Sequence, residues 1–191
     1  NKISSYPGSG AAGGIGAATM FFLNANLQSG SEIILDFLEF EEKCKGIDLI
    51  ITGEGQIDFQ TLNNKAPIAV AKIAKKHNLK VHTDGARIFN ASTALNVDVR
   101  ELVQYTDSIT FCLSKGLSAP IGSILCGTEE FIHEARRIRK ALGGGMRQSG
   151  LLASAGIYSF NNMIERLEED HDNAQLLALG LSEIDEIKID L

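Results

Sequence analysis

Phe111-Cys-Leu-Ser-Lys-Gly-Leu-Ser-Ala-Pro-Ile-Gly-Ser123 reads as an apolar strand running out into a Gly/Ser turn, with one lysine, Lys115, at the exit. In α/β sheets, ligands collect beyond the carboxyl ends of the strands, so a lysine placed there is a candidate for chemistry. At the mouth of a buried strand its amine would be partly desolvated. Desolvation disfavours the charged form and frees the amine to attack a carbonyl, which is Schiff-base chemistry. The plainer reading, a solvated loop lysine, is the commoner fate of lysines.

Outward from this turn the pattern is that of an α/β chain. Ser108–Leu113 and Ile121–Cys126 read as strands, as do Leu79-Lys-Val-His-Thr-Asp84 and the short apolar run Ile47-Asp-Leu-Ile-Ile-Thr52. Glu186-Ile-Lys-Ile-Asp-Leu191 alternates like a strand in need of a partner. Helices are expected over 36–45, over 66–77 with Pro67 in the first turn, over 98–104, over 129–142 with Thr128 as cap, and from Met146 to Gly180. The expected architecture is one α/β domain over 1–191, in three layers, with a mainly parallel sheet and helices on both faces.

The 191 residues include 44% hydrophobic ones, enough for a core. Lys and Arg number 18 against 24 Asp and Glu, for a net charge of -6. With no basic block, nucleic acid and anionic membranes are not expected partners. No apolar run approaches a membrane span and no signal-peptide pattern opens the chain, so a cytoplasmic location is expected. Cys44, Cys112 and Cys126 are spaced unlike a zinc motif; they are expected to be reduced and buried, and no metal site is expected.

Near the N-terminus, Pro7-Gly-Ser-Gly-Ala-Ala-Gly-Gly-Ile-Gly16 leads into an apolar helix. Free N–H groups at such a helix start, at Ser9 and Gly10, could cradle a phosphate. Gly8, Gly10 and Gly13 satisfy G-x-G-x-x-G, with Asp36 further on, but no buried strand precedes them. Small residues that let the helix pack closely are the simpler reading. Glu54 and Asp58 follow the 47–52 run, where a metal–phosphate or acid/base role and a solvated tight turn are equally open. On the 129–142 helix, Arg136, Arg137, Arg139 and Lys140 read as a solvated face.

Asp84, Arg87 and Lys115 are thus expected on neighbouring strand ends, and a carboxylate, a guanidinium and a Schiff-base lysine are what a pyridoxal phosphate site requires. His82-Thr-Asp-Gly-Ala-Arg-Ile-Phe-Asn-Ala91, the Phe111–Ser123 stretch and Gly143-Gly-Gly-Met-Arg-Gln148 resemble, in order and spacing, the low-specificity threonine aldolases among the fold-type I PLP enzymes. The resemblance implies Lys115 as the Schiff-base lysine, Asp84 as partner of the pyridine nitrogen, and Arg87 as ligand of the cofactor or substrate. Lys140 and the loop bearing Arg147 would lie near an amino acid substrate, which would be cleaved to glycine and an aldehyde. A homodimer is implied as well, since such enzymes commonly build sites across one.

Residues 1–78 depart from that family. Pro7–Gly16, Ile50-Ile-Thr-Gly-Glu-Gly-Gln-Ile-Asp58 and Gln60-Thr-Leu-Asn-Asn-Lys-Ala-Pro67 resemble the glycerate kinase family. The combination implies a chimera joined between residues 70 and 80, with 79–191 as the aldolase-like segment. Each fragment then lacks parts of its parent's site, and PLP would meet an incomplete one. Two further readings stay open: a non-catalytic chimeric scaffold, and a glycerate kinase fragment.

Overall fold

The computed structural model describes residues 5–53 and 66–189. Three strands form its sheet: β1 (His82–Asp84), β2 (Ser108–Cys112) and β3 (Ser123–Cys126), in the order β1-β2-β3. β1 runs parallel to β2, pairing His82 with Ser108 and Asp84 with Thr110. β3 is antiparallel to β2, with Cys112 opposite Ser123 and Ile109 opposite Cys126.

The α/β class holds, but the sheet is small and mixed rather than mainly parallel. Connection length explains the direction of each pair. A parallel return needs a crossover of about a dozen residues or more, usually through a helix. Residues 85–107 meet that requirement with α5 (Ile88–Leu95) and α6 (Val99–Leu102). The link 113–122 is shorter and holds no helix, so β3 can only fold back.

Two expected strands are not found among the described residues. Residues 47–53 have no regular structure, and Leu49 and Ile51 are exposed. Residues 187–189 are likewise irregular, while Asp190 and Leu191 lie outside the described residues, as do Glu54 and Asp58. An apolar run becomes a strand only where a neighbour takes its backbone hydrogen bonds, and neither run has one in the described sheet.

The sheet buries one face. Phe111 belongs to a core with Ile88, Leu113, Leu117, Ala119 and Leu167, and Ile109, Ile124, Phe89 and Phe160 pack against it. Phe89, Phe111 and Phe160 meet edge to face at 5.3–5.7 Å, an arrangement that adds about 0.5–1.5 kcal/mol per pair beyond burial. α5 supplies Phe89; α8 (Gly150–Asn162) supplies Phe160, and Leu167 opens α9 (Leu167–Ser182). The long helix expected from Met146 to Gly180 is therefore two, broken at Met163–Arg166. On the other face His82, Asp84, Ser123 and Leu125 are exposed, so the described helices do not cover it as a third layer would.

The remaining described helices are α1 (Ala11–Leu23), α2 (Gly30–Phe37), α3 (Phe40–Lys43), α4 (Ala66–Lys76) and α7 (Glu129–Ala141). The helix expected over 36–45 is thus split between α2 and α3, with Glu39 left-handed between them. α4 buries Ala69, Val70 and Ala74, and its Lys75 pairs with Asp107 at 2.7 Å just before β2. Thr128 caps α7, its side chain accepting from Phe131 N at 3.3 Å. Among the cysteines only Cys44 is buried; Cys112 is half-buried and Cys126 exposed, all as free thiols. No described helix is long and apolar enough to cross a membrane.

Candidate functional site

The parallel pair decides which residues meet. Asp84 ends β1 and Lys115 lies three residues beyond the end of β2, so both leave the sheet at the same edge. Backbone bonds extend the pairing past the strands. Gly85 N donates to Thr110 O at 2.8 Å, and Cys112 N donates to Ala86 O at 3.0 Å. Arg87, next in line, is the residue from which α5 starts. The fold therefore brings Lys115, from a later stretch of the chain, to the same sheet end as the neighbouring Asp84 and Arg87.

All three side chains are exposed, and none makes a hydrogen bond or ion pair with another described residue. The half-buried position expected of Lys115 is not found. The turn after β2 alternates: Leu113, Leu117 and Ala119 face the core, while Ser114, Lys115 and Ser118 face out. Backbone bonds fix this shape, with Ser118 N donating to Lys115 O at 2.8 Å, Leu113 N to Gly122 O at 2.9 Å, and Ala119 N to Leu113 O at 3.0 Å.

His82 and Asp84 share the uncovered face, as the alternation of β1 implies. The imidazole of His82 sits between two hydroxyls of β2, with Nδ1 2.9 Å from Ser108 Oγ and Nε2 3.4 Å from Thr110 Oγ1. Beside them Ser123 Oγ donates to Cys112 Sγ at 3.6 Å. This face is a polar floor next to the Asp84 carboxylate.

Behind the lysine is a contact with no sequence expectation. Gly116 lies so close to α5 that a Cβ would collide with Asn90 Oδ1, come within 2.9 Å of its Nδ2, and reach Leu167 on α9 at 3.0 Å. Asn90 Nδ2 is in turn 3.2 Å from His171 Nε2 on α9. The one local signal for this approach is the glycine following Lys115, since glycine permits close backbone contact. A cleft of about 240 Å³ opens beside Gly116 and Ser118, walled by Met163, Arg166, Glu169, Asp170 and Asn173. Across it Arg166 grips Glu169 by two hydrogen bonds of 3.0 and 3.2 Å. That grip raises the guanidinium pKa and lowers the carboxyl pKa.

The other expected residues lie elsewhere. Lys140 is exposed in the last turn of α7, with Gly145 packed against its side chain, and Arg147 is exposed in the following turn. No described hydrogen bond or ion pair joins either to Lys115 or Asp84. Ser9 and Gly10 do not sit at a regular helix start, because Ala12, Gly13 and Gly14 are left-handed and interrupt the first turn. The turn instead closes on itself, Ala11 N donating to Gly8 O and Ala17 N to Ser9 O. Among the described residues, no group of three or more His, Cys, Asp or Glu could hold a metal ion.

Known proteins resemble this chain in sequence and in fold. The family model described as beta-eliminating lyase matches residues 47–190. A low-specificity L-threonine aldolase 1 of Arabidopsis thaliana is 48% identical over 122 residues, covering 64% of this chain and 34% of its own length. The low specificity L-threonine aldolase of Escherichia coli K12 is 54% identical over 112 residues, 59% of this chain and 34% of its own. A crystal structure of a candidate L-allo-threonine aldolase from Listeria monocytogenes shares the fold at 22% identity with a TM-score of 0.57, covering 66% of this chain and 34% of that one. The chain spans about a third of the length of these relatives. The family match begins upstream of the seam expected at residues 70–80, and none of these comparisons supports a glycerate-kinase-like portion.

Proposed function

We propose, from the premise that this chain belongs to the beta-eliminating lyase family, that it carries part of a PLP-dependent aldolase site. The substrate is a β-hydroxy-α-amino acid and the products are glycine and an aldehyde. The observation that supports this best is the common exit of Asp84, Arg87 and Lys115 from one parallel strand pair. These residues fit the cofactor as a donor set: an amine, a carboxylate and a guanidinium, none engaged by another described side chain. Bound there, pyridoxal phosphate supplies a ring that draws electrons from the bond breaking at Cα.

The chain's own groups divide the remaining work. Lys115 supplies the amine that holds the cofactor's aldehyde. The carboxylate of Asp84 accepts a hydrogen bond from the pyridine N–H and keeps that nitrogen protonated, a charge-assisted contact. Arg87 directs its planar fork at the ring's phenolic oxygen or at the substrate carboxylate. Lys140 and Arg147 approach the substrate in an assembled site, which we take to be a homodimer in the cytosol.

A second reading, a non-catalytic scaffold, draws on the exposure of Lys115, Asp84 and Arg87. One experiment separates the two. Added PLP should give the visible absorbance of a lysine-bound cofactor, and Lys115→Ala should remove it. Threonine should then release glycine and acetaldehyde. A spectrum identical in the wild-type chain and Lys115→Ala sinks the aldolase reading.

A further inference from the structure

We infer that Asn90 is a positioning residue for Lys115, clamping the turn that carries the lysine against α5 and α9 through His171. This rests on the reading of Lys115 as the cofactor lysine and adds the device that aims it. Three observations carry it, each from a different part of the chain. Gly116, bonded directly to Lys115, has no Cβ at the point where one would strike the Asn90 amide. Asn90 stands three residues beyond Arg87, in the first turn of α5, so its position is coupled to the strand end that carries Asp84 and Arg87. His171 Nε2 lies 3.2 Å from Asn90 Nδ2 and joins α9 to the same point.

The contact has the chemistry of a directional clamp. With Asn90 Nδ2 as donor, Nε2 is the lone-pair nitrogen of the His171 ring. That bond orients the amide, whose Oδ1 and Nδ2 both stand where a Cβ on Gly116 would be. Leu167, 1% exposed one turn before His171, backs the same glycine from α9. An amide held in this way fixes where the turn leaves the core, and hence where the exposed Lys115 begins. A core contact made only of apolar groups would bury the turn without fixing its rotation.

The test uses PLP itself with borohydride reduction, and reads by peptide mass spectrometry the labelling of Lys115 relative to Lys80, whose side chain is 86% exposed. The wild-type chain should label Lys115 in preference. Asn90→Ala and His171→Leu should each lower the Lys115-to-Lys80 ratio by about five-fold, the size of one net hydrogen bond. His171→Gln, which keeps an acceptor, should recover most of it. Circular dichroism identifies any variant that fails to fold, and His171→Leu, at a half-buried site, serves if Asn90→Ala does not. An unchanged ratio in folded His171→Leu overturns the clamp, and so does an equal fall in His171→Gln. A wild-type chain with no preference for Lys115 instead overturns the cofactor reading on which the clamp depends.

Discussion

Cys112 N donates a 3.0 Å hydrogen bond to Ala86 O, so the segment bearing Arg87 and the segment bearing Lys115 leave the sheet tied together. Because this bond lies beyond the register of β1 and β2, the two segments are held by backbone rather than by their charged side chains. Substitutions at those side chains should therefore affect ligand binding without loosening the fold.

Asp84→Asn is the direct case. The side chain is exposed and makes no bond with a described residue, so the free energy of urea unfolding should stay within about 0.5 kcal/mol of wild type, as for other surface changes. The affinity for PLP should fall by about ten-fold or more, because a charged hydrogen bond is worth roughly 1.5–3 kcal/mol. Titrating the visible absorbance against added PLP measures this loss. Equal affinity in the two proteins would remove Asp84 from the site.

Phe111→Ala should be the most damaging single core change. The ring is 6% exposed and meets both Phe89 and Phe160 edge to face. Removing it should destabilise the chain by about 3–5 kcal/mol, read as a lowered urea midpoint. Phe111→Leu, which keeps most of the volume, should lose less.

The contrast between these sites reflects what was legible in the residues themselves. Thr128 and the acids after it announce α7 locally, and the alternation of His82, Thr83 and Asp84 correctly puts His82 and Asp84 on one face. Lys115, Asp84 and Arg87 stood out because the three residue types match one chemistry. What could not be read was non-local. The direction of β3 depends on the length of 113–122, and the 47–52 run has the composition of a strand but no pairing neighbour in the described sheet. Asn90 and His171 are 81 positions apart and carry no shared pattern, so only the folded chain brings them together.

Asp107 should make stability depend on acid pH. Its carboxylate binds Lys75 at 2.7 Å and accepts from Val81 N at 2.8 Å, and these contacts hold its pKa below the ordinary value. The folded chain then binds fewer protons here than the unfolded one, so stability rises with pH across this titration. The contribution is complete above the unfolded pKa of 3.8 and is lost as pH falls through the lower folded value. Urea midpoints between pH 2 and 6 should fall more steeply for wild type than for Asp107→Asn. At neutral pH, Asp107→Asn should itself cost about 1–2 kcal/mol through the lost charged contacts. Parallel curves would show that the Lys75 and Val81 contacts do not couple to folding.

Gly16→Ala separates local from global dependence at the other end of the chain. A Cβ on Gly16 would collide with the carbonyl oxygen of Gly8, and neither group is at the end of a flexible side chain. The neighbouring glycines cannot easily absorb the strain, because Gly13 and Gly14 already use positive φ of 68° and 99°. The loop therefore has to open, breaking the bonds from Ala11 N to Gly8 O and from Ala17 N to Ser9 O. Those bonds close within the glycine-rich segment, so the damage should stay there. Amide hydrogen exchange should quicken at Ala11 and Ala17 by about five-fold or more, the size of one net hydrogen bond. The amides of Gly85 and Cys112, which tie β1 to β2, should exchange at the wild-type rate. Faster exchange at Cys112 would mean that the glycine-rich turn supports the sheet, and with it the placement of Lys115.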